Sequence, residues 1–356
     1  MNLLQNIKMR MASYLAILML LSCGGSGLKP ISNSIKKIVV GTLREGDVST
    51  PVSWGDNSVA FLSTSKNAGQ VRAVKQVGDQ IYIVGGLRNS NGLGLATYWV
   101  SGIPIRVGEE NFESFANEMA IVNNEHIFVG YSKNVFGGTD AVLWEKSILV
   151  KLTDGLVDTM GEATGICVID GISYISGWVT EKVEIAPNTY HFTPVAKLWR
   201  NGVPQNLSIP GLEEGVATAV ASNGNDIYVS GYISASNGIS NPYSAVYWKN
   251  GEMIVLPGGR FGAKALSIVL FSGQLYITGF VNEGGANIAA LWVDGRLQLL
   301  SDGRDHATAQ SIAFFGKDIV CAGTIGGKAV TWDNGMINYL PPVGSNSQAF
   351  GVLLMK

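Results

Sequence analysis

The sequence predicts an all-β fold, a seven-bladed β-propeller of four-stranded antiparallel blades closed by its C-terminal strand. Three observations carry this expectation. A unit of four short apolar runs, clearest as Ala265–Leu270, Leu275–Gly279, Ala289–Val293 and Leu297–Leu300, is punctuated by Ser-Gly, Asn-Glu-Gly-Gly and Asp-Gly turns, the pattern of an antiparallel meander. Two landmarks recur seven times: a Gly ending the second run (Gly41, Gly85, Gly130, Gly177, Gly231, Gly279, Gly323) and a Trp in the third (Trp54, Trp99, Trp144, Trp199, Trp248, Trp292, Trp332). Successive Gly are 44, 45, 47, 54, 48 and 44 residues apart, a blade period without helical periodicity. The phase of the ends supplies the third observation. Gly41 has no small-residue strand before it, and the orphan strand appears at the far end as 347–354, where it would complete the first blade and protect the open edges.

From the N-terminus, residues 1–22 read as an export signal. Lys8 and Arg10 give a charged start, and Met11–Leu21 is an apolar run too short to span a bilayer. Leu20-Leu21-Ser22-Cys23-Gly24 resembles the lipobox of bacterial lipoproteins. The resemblance implies cleavage before Cys23, lipid (palmitate among the acyl chains) on its thiol, and a membrane anchor. Two or more chains would hold firmly where one binds only marginally. Gly24 offers no inner-membrane retention signal, so the expected location is the outer membrane of a bacterial envelope. Residues 23–35 form the lipidated Cys and a flexible tether; Gly24–Ser34 reaches roughly 20 Å. The propeller then occupies 36–356.

Within the ring, each blade packs between two neighbours, so middle strands such as Ile81-Tyr82-Ile83-Val84 need not alternate with polar residues. First strands are rich in Ala, Ser, Thr and Gly, as crowding around one axis demands. A Trp buries on the order of 200 Å², so the seven landmark Trp are expected between blades. Cys167 and Cys321 lie in different blades and read as small buried hydrophobes. The chain has 356 residues, 46% hydrophobic and 15% charged, with 45 Gly and a net charge of −2. Removing the signal loses two basic residues and no acidic one, leaving −4. With no basic excess, nucleic acid is excluded as a partner class.

Turns after the first and third strands are short (Asp170-Gly171, Asn201-Gly202, Asn250-Gly251, Asp294-Gly295), while connections after the second and fourth are longer and share the opposite face. Binding residues sit on long loops carried by rigid scaffolds. The longest is Trp178–Val195, read as a loop bearing Trp178, outside the repeat register, with Tyr190 and His191. Phe112, Arg260, Phe261, Arg304 and His306 complete the candidate binding residues on this face. Aromatics on such loops serve as recognition anchors or pack as a lid on their own blade.

Sites of chemistry are sought without result. His126, His191 and His306 are scattered, no His/Cys/carboxylate group has metal-ligand spacing, and no nucleophile elbow, phosphate loop or dinucleotide fingerprint occurs. No catalytic residue, metal or cofactor is expected. Together, Ala-x-x-Ile, Leu-Tyr-Ile-Thr-Gly and Ala-Leu-Trp-x-x-Gly-x-x-x-x-Leu resemble the bacterial extracellular HAF repeats, with Ala141-Val142-Leu143-Trp144 and Ala245–Gly251 as close matches, although the His that typically precedes the Ala is missing. Gly85-Gly86 gives a looser similarity to kelch propellers. The resemblance implies an extracytoplasmic propeller with no defined activity. The expected function is a monomeric, non-catalytic lipoprotein whose long-loop face binds an envelope protein or glycan. The alternative is an envelope hydrolase or lyase using carboxylates near the channel.

Overall fold

The computed structural model describes residues 35–356 apart from 56–57, 64–67, 123–124, 156–158, 187–188, 208–212, 236–242 and 343–345. Cys23 and the tether therefore lie outside the described residues. Seven four-stranded sheets stand in a ring. Blade 6 is representative: inner strand Ala263–Phe271, second Gln274–Asn282, third Asn287–Val293 and outer Arg296–Leu299. The inner strands of blades 2 to 7 are Gly69–Val77, Ser114–Val122, Gly161–Ile169, Glu213–Ser222, Ala263–Phe271 and Ala307–Phe315. Blade 1 takes its inner strand from the C-terminus: Asn346–Met355 pairs antiparallel with Lys36–Glu45, with Lys37 opposite Leu354 and Gly41 opposite Ala349. Next to this seam, Lys37 Nζ donates to Asp333 at 2.6 Å and to Thr331 Oγ1 at 3.0 Å, tying blade 1 to blade 7.

The Trp residues are the inter-blade core. All seven landmark indoles are buried, Trp99, Trp199, Trp248 and Trp292 completely. In five of them the ring N–H reaches the exit of the preceding blade, whereas the buried Trp144 Nε1 has no partner among the described residues. Trp99 donates to Leu62 O at 2.7 Å, Trp199 to Leu152 O at 3.1 Å, Trp292 to Pro257 O at 2.8 Å and Trp332 to Leu300 O at 2.7 Å. Trp54 donates to Pro341 O, carrying the pattern across the seam. One residue type thus supplies both buried area and the polar link between sheets.

The landmark Gly has an equally specific cause. A Cβ at Gly41, Gly85, Gly130, Gly177, Gly231, Gly279 or Gly323 would overlap a carbonyl oxygen of the inner strand alongside, and at Gly231 it would also come within 2.7 Å of Trp248. The register explains the crowding. Every inner strand carries a β-bulge just beside this position, as between Ala265 and Ser267, and a bulge bends the strand and tightens its twist.

The face assignments follow. Short turns close one end of the ring: Asn201, Asn250, Asp294 and Asn334 take φ of 47–52°, each followed by a Gly at φ of 79–88°. Each also accepts from the backbone N–H opening its blade's second strand, for instance Leu275 N to Asp294 Oδ1 at 2.9 Å.

One expectation is corrected. Trp178–Val195 is not a loop: the second strand of blade 4 runs Ile172–Ala186 and the third Thr189–Arg200, paired through Glu184↔Tyr190. The blade's hairpin simply continues past the sheet. Trp178 is not outside the register either, since it follows Gly177 directly and pairs with Glu162 and Ala196.

Candidate functional site

The seven bulges place one residue per blade on the axis: Arg72, Asn117, Thr164, Thr218, Leu266, Gln310 and, in blade 1, Phe350. All seven line a central cavity of about 440 Å³. Three stitch adjacent blades. Asn117 Nδ2 donates to Ala163 O, Thr164 Oγ1 to Ala217 O and Thr218 Oγ1 to Ala265 O, each at 2.9 Å.

Arg72 is different. Its guanidinium lies 4.6 Å from the Phe350 ring centroid and 5.7 Å from that of Phe115, rings carried by the blades on either side. Among the described residues it makes no hydrogen bond or ion pair. The side chain is solvent-exposed, but the solvent it meets is that of the cavity, and protein crowds it otherwise. This desolvation lowers its pKa, with the charge of Glu162 acting in opposition; the group stays cationic.

Two residues before each bulge, toward the long-loop face, the inner strands carry Gln70, Phe115, Glu162, Val216, Lys264, Thr308 and Gln348. Lys264 is a second cation without a hydrogen bond or ion pair among the described residues. Its Nζ sits 3.8 Å from the centroids of both Tyr232 and Tyr243, and burial lowers its pKa. Burial in turn pushes the Tyr232 phenol up to about 12, helped by Tyr243, Glu162 and Glu214. Tyr131 is likewise raised, by burial first and then by Glu113 and Glu162, against the pull of Arg72.

The residue after each landmark Gly pairs with these inner-strand positions. In blades 3 to 6 it is aromatic: Tyr131 opposite Phe115, Trp178 opposite Glu162, Tyr232 opposite Val216 and Phe280 opposite Lys264. All four are half-buried. In blades 7, 1 and 2 the position holds Thr324, Thr42 and Gly86. The mouth on the long-loop face therefore has an aromatic arc over four consecutive blades and a small-residue side over three. A recess of about 190 Å³ beside the arc is lined by Asp47, Arg88, Glu113, Phe115 and Tyr131 among others.

The residues expected from sequence fall around the rim. Tyr190 and His191 are exposed near the end of the blade 4 hairpin, with Lys182 Nζ 3.8 Å over the Tyr190 ring and His191 Nδ1 3.3 Å from Thr193 Oγ1. Phe112 is half-buried in the connection from blade 2 to blade 3, its N–H donating to Glu109 O. Arg260 sits 5.3 Å over the exposed Phe261 ring, which packs on Gly284. Arg304 pairs with Asp302 at 3.2 Å. His306 is a structural pin, its Nδ1 accepting from Asn287 N at 3.0 Å. Of these, only Trp178 stands in the aromatic arc beside the mouth.

The carboxylates lining the cavity are engaged. Glu118 pairs with Lys75 at 3.3 Å and accepts from Met119 N, while Glu162 accepts from Asn117 Nδ2 at 2.7 Å. Among the described residues no group of three His, Cys, Asp or Glu side chains is placed to hold a metal ion. His126 is stacked among Tyr82, Tyr98 and Phe128. The arrangement suits recognition: two cations without a carboxylate partner, Glu162 and the Lys75-paired Glu118 between them along the ring, and flat rings alongside. Aligning the first strands on Ala116, Ala163, Ala217, Ala265, Ala309 and Ala349 exposes the bulge position from sequence, because the next residue differs in type in nearly every blade.

No protein-family model matches the chain, and no curated protein does. Solved structures match by fold. TolB from Acinetobacter baumannii is 13% identical at a TM-score of 0.47, over 80% of this chain and 66% of its own. A puromycin-hydrolysing peptidase of Mycobacterium tuberculosis is 10% identical at 0.51, over 85% of this chain and 52% of its own, so this chain spans about half of that protein. The β-propeller domain of the Trilobed protease from Pyrococcus furiosus is 12% identical at 0.52, over 89% and 96%. That domain is described as having an open velcro topology, whereas here Asn346–Met355 completes blade 1. At these identities the likeness is one of fold, and the chain is by fold a seven-bladed β-propeller.

Proposed function

We propose that this protein is a non-catalytic binding propeller, exported and lipid-anchored through Cys23, whose long-loop face binds a protein or glycan of a bacterial envelope. The observation that carries the binding reading is the arc Tyr131, Trp178, Tyr232 and Phe280 set beside Arg72 and Lys264. Half-buried aromatics held by a rigid sheet offer large contact area at low entropic cost, the property of binding anchors. The anchor reading rests on the charged start, the apolar run and Leu20–Gly24, and the extracytoplasmic reading on these and the HAF-like repeats. The test is capture from envelope extract and a glycan panel by the full-length protein in detergent, against a Trp178→Ala/Tyr232→Ala double variant. A partner retained by the parent and lost by the variant supports the reading; equal capture by both refutes the arc as the binding surface.

A further inference from the structure

We infer that the central cavity is a docking site for an acidic peptide segment entering from the long-loop face, with Arg72 pairing to a ligand carboxylate and Lys264 making a second contact at the rim. This rests on the binding reading above and names its ligand class.

The argument begins with an uncompensated charge. Several cations of the ring are matched: Lys75 to Glu118, Lys37 to Asp333, Lys133 to Glu113 at 2.5 Å, Lys151 to Asp140 at 2.7 Å and Lys197 to Glu181 at 2.5 Å. Others without a carboxylate, such as Arg296 and Lys317, are exposed on an outer strand or in a turn. Arg72 and Lys264 are unmatched at the axial cavity and its rim. Both are held against aromatic faces, which fixes the head groups without using their N–H donors. A guanidinium presents a planar fork that fits a carboxylate with two parallel hydrogen bonds. Low-dielectric walls around the cavity strengthen any such pair relative to one in bulk water. An arginine crowded enough to have its pKa lowered gains most from an arriving anion.

The shape and charge order choose the ligand. The opening is an axial well lined by inner-strand residues of all seven blades. An extended single chain would enter it end-on. Around its rim the order is Arg72 in blade 2, Glu162 in blade 4 and Lys264 in blade 6. An acid between two cations complements a chain bearing both signs and carrying backbone amides. A uronate oligosaccharide, with carboxylates only, would set one of its charges against Glu162.

The test uses the full-length protein and fluorescence anisotropy of three labelled probes: Gly-Asp-Lys-Gly-Asp-Phe with a free C-terminus, its Asn/C-terminal-amide counterpart, and trigalacturonate. The acidic peptide is expected to bind the parent, and Arg72→Gln to weaken it about 10- to 100-fold, as loss of a charged hydrogen-bonded contact implies. Lys264→Gln should weaken it less, and Arg296→Gln on an exposed outer strand should change nothing. The neutral peptide keeps the test independent of any protein variant, since it should bind at least tenfold more weakly to the parent itself. Equal binding of both peptides overturns the carboxylate role of Arg72. Binding of trigalacturonate but not the acidic peptide overturns the peptide assignment while leaving the long-loop face as a binding surface. No binding of the acidic peptide at millimolar concentration overturns the inference, and the capture experiment with the Trp178→Ala/Tyr232→Ala variant then decides separately whether the face binds anything.

Discussion

Gly279→Ala isolates the rule that shapes every blade. In an ordinary extended segment, replacing Gly by Ala stabilises by about 0.4–1 kcal/mol, because the unfolded chain loses more freedom than the folded one. At Gly279 the new methyl would overlap Lys264 O and sit 3.2 Å from Ala265 Cα, both backbone atoms of the bulged inner strand. Backbone cannot swing aside as a side chain can. The two strands must separate locally, and overpacking of this kind costs about 1–3 kcal/mol. The sign of the effect is therefore reversed. Gly285, in the connection of the same blade, is the internal control, with nothing within 4 Å of its Cβ position and an exposed backbone. Equilibrium denaturation followed by Trp fluorescence measures both. Gly279→Ala should lower the midpoint by an amount equivalent to about 1–3 kcal/mol, and Gly285→Ala should stay within about 0.5 kcal/mol of the parent. A Gly279→Ala midpoint at or above the parent would refute the account of the landmark Gly.

Trp248→Ala should cost about 3–5 kcal/mol as truncation of a fully buried indole, read as a fall in the same midpoint. Tyr232 titrates in the folded state near 12, above the ordinary phenol, so its neutral form contributes stability that is present below about pH 10 and lost as pH rises toward 12. The parent should lose stability faster than Tyr232→Phe across that window; parallel curves would remove the shift. Burial pushes the Cys167 thiol up to about 11 and that of Cys321 up to about 12, so neither should react with a thiol reagent at pH 8 until denaturant is added. Cys23→Ala should move the protein from the membrane to the soluble fraction, and unchanged retention would defeat the anchor.

The ring was legible because one packing problem is solved seven times. Trp99, Trp199 and Trp292 answer the same gap between sheets, and Gly85, Gly231 and Gly279 the same bulge, so the answers repeat in sequence. The mouth was hidden for the opposite reason. Arg72, Thr164 and Phe350 occupy equivalent positions but face a cavity, where residue type varies from blade to blade. Their positional identity is visible only once the bulges are in register. The blade 4 hairpin was misread because strands beyond the sheet bury little, and Thr180-Glu181-Lys182 against Phe192-Thr193-Pro194 shows no inward–outward alternation. Tyr190 and Arg304 lie on the anticipated face, yet the side chains gathered at the axis come from inner strands that sequence marks only as small and crowded.

The seam also sets an orientation. Lys36 and Met355 are paired neighbours, and from Lys36 the strand runs away from the Asn-Gly end of the ring toward the loop-bearing end. The described residues thus begin and end on the underside, opposite the aromatic mouth. A label fused after Lys356 would hang below without obstructing the opening.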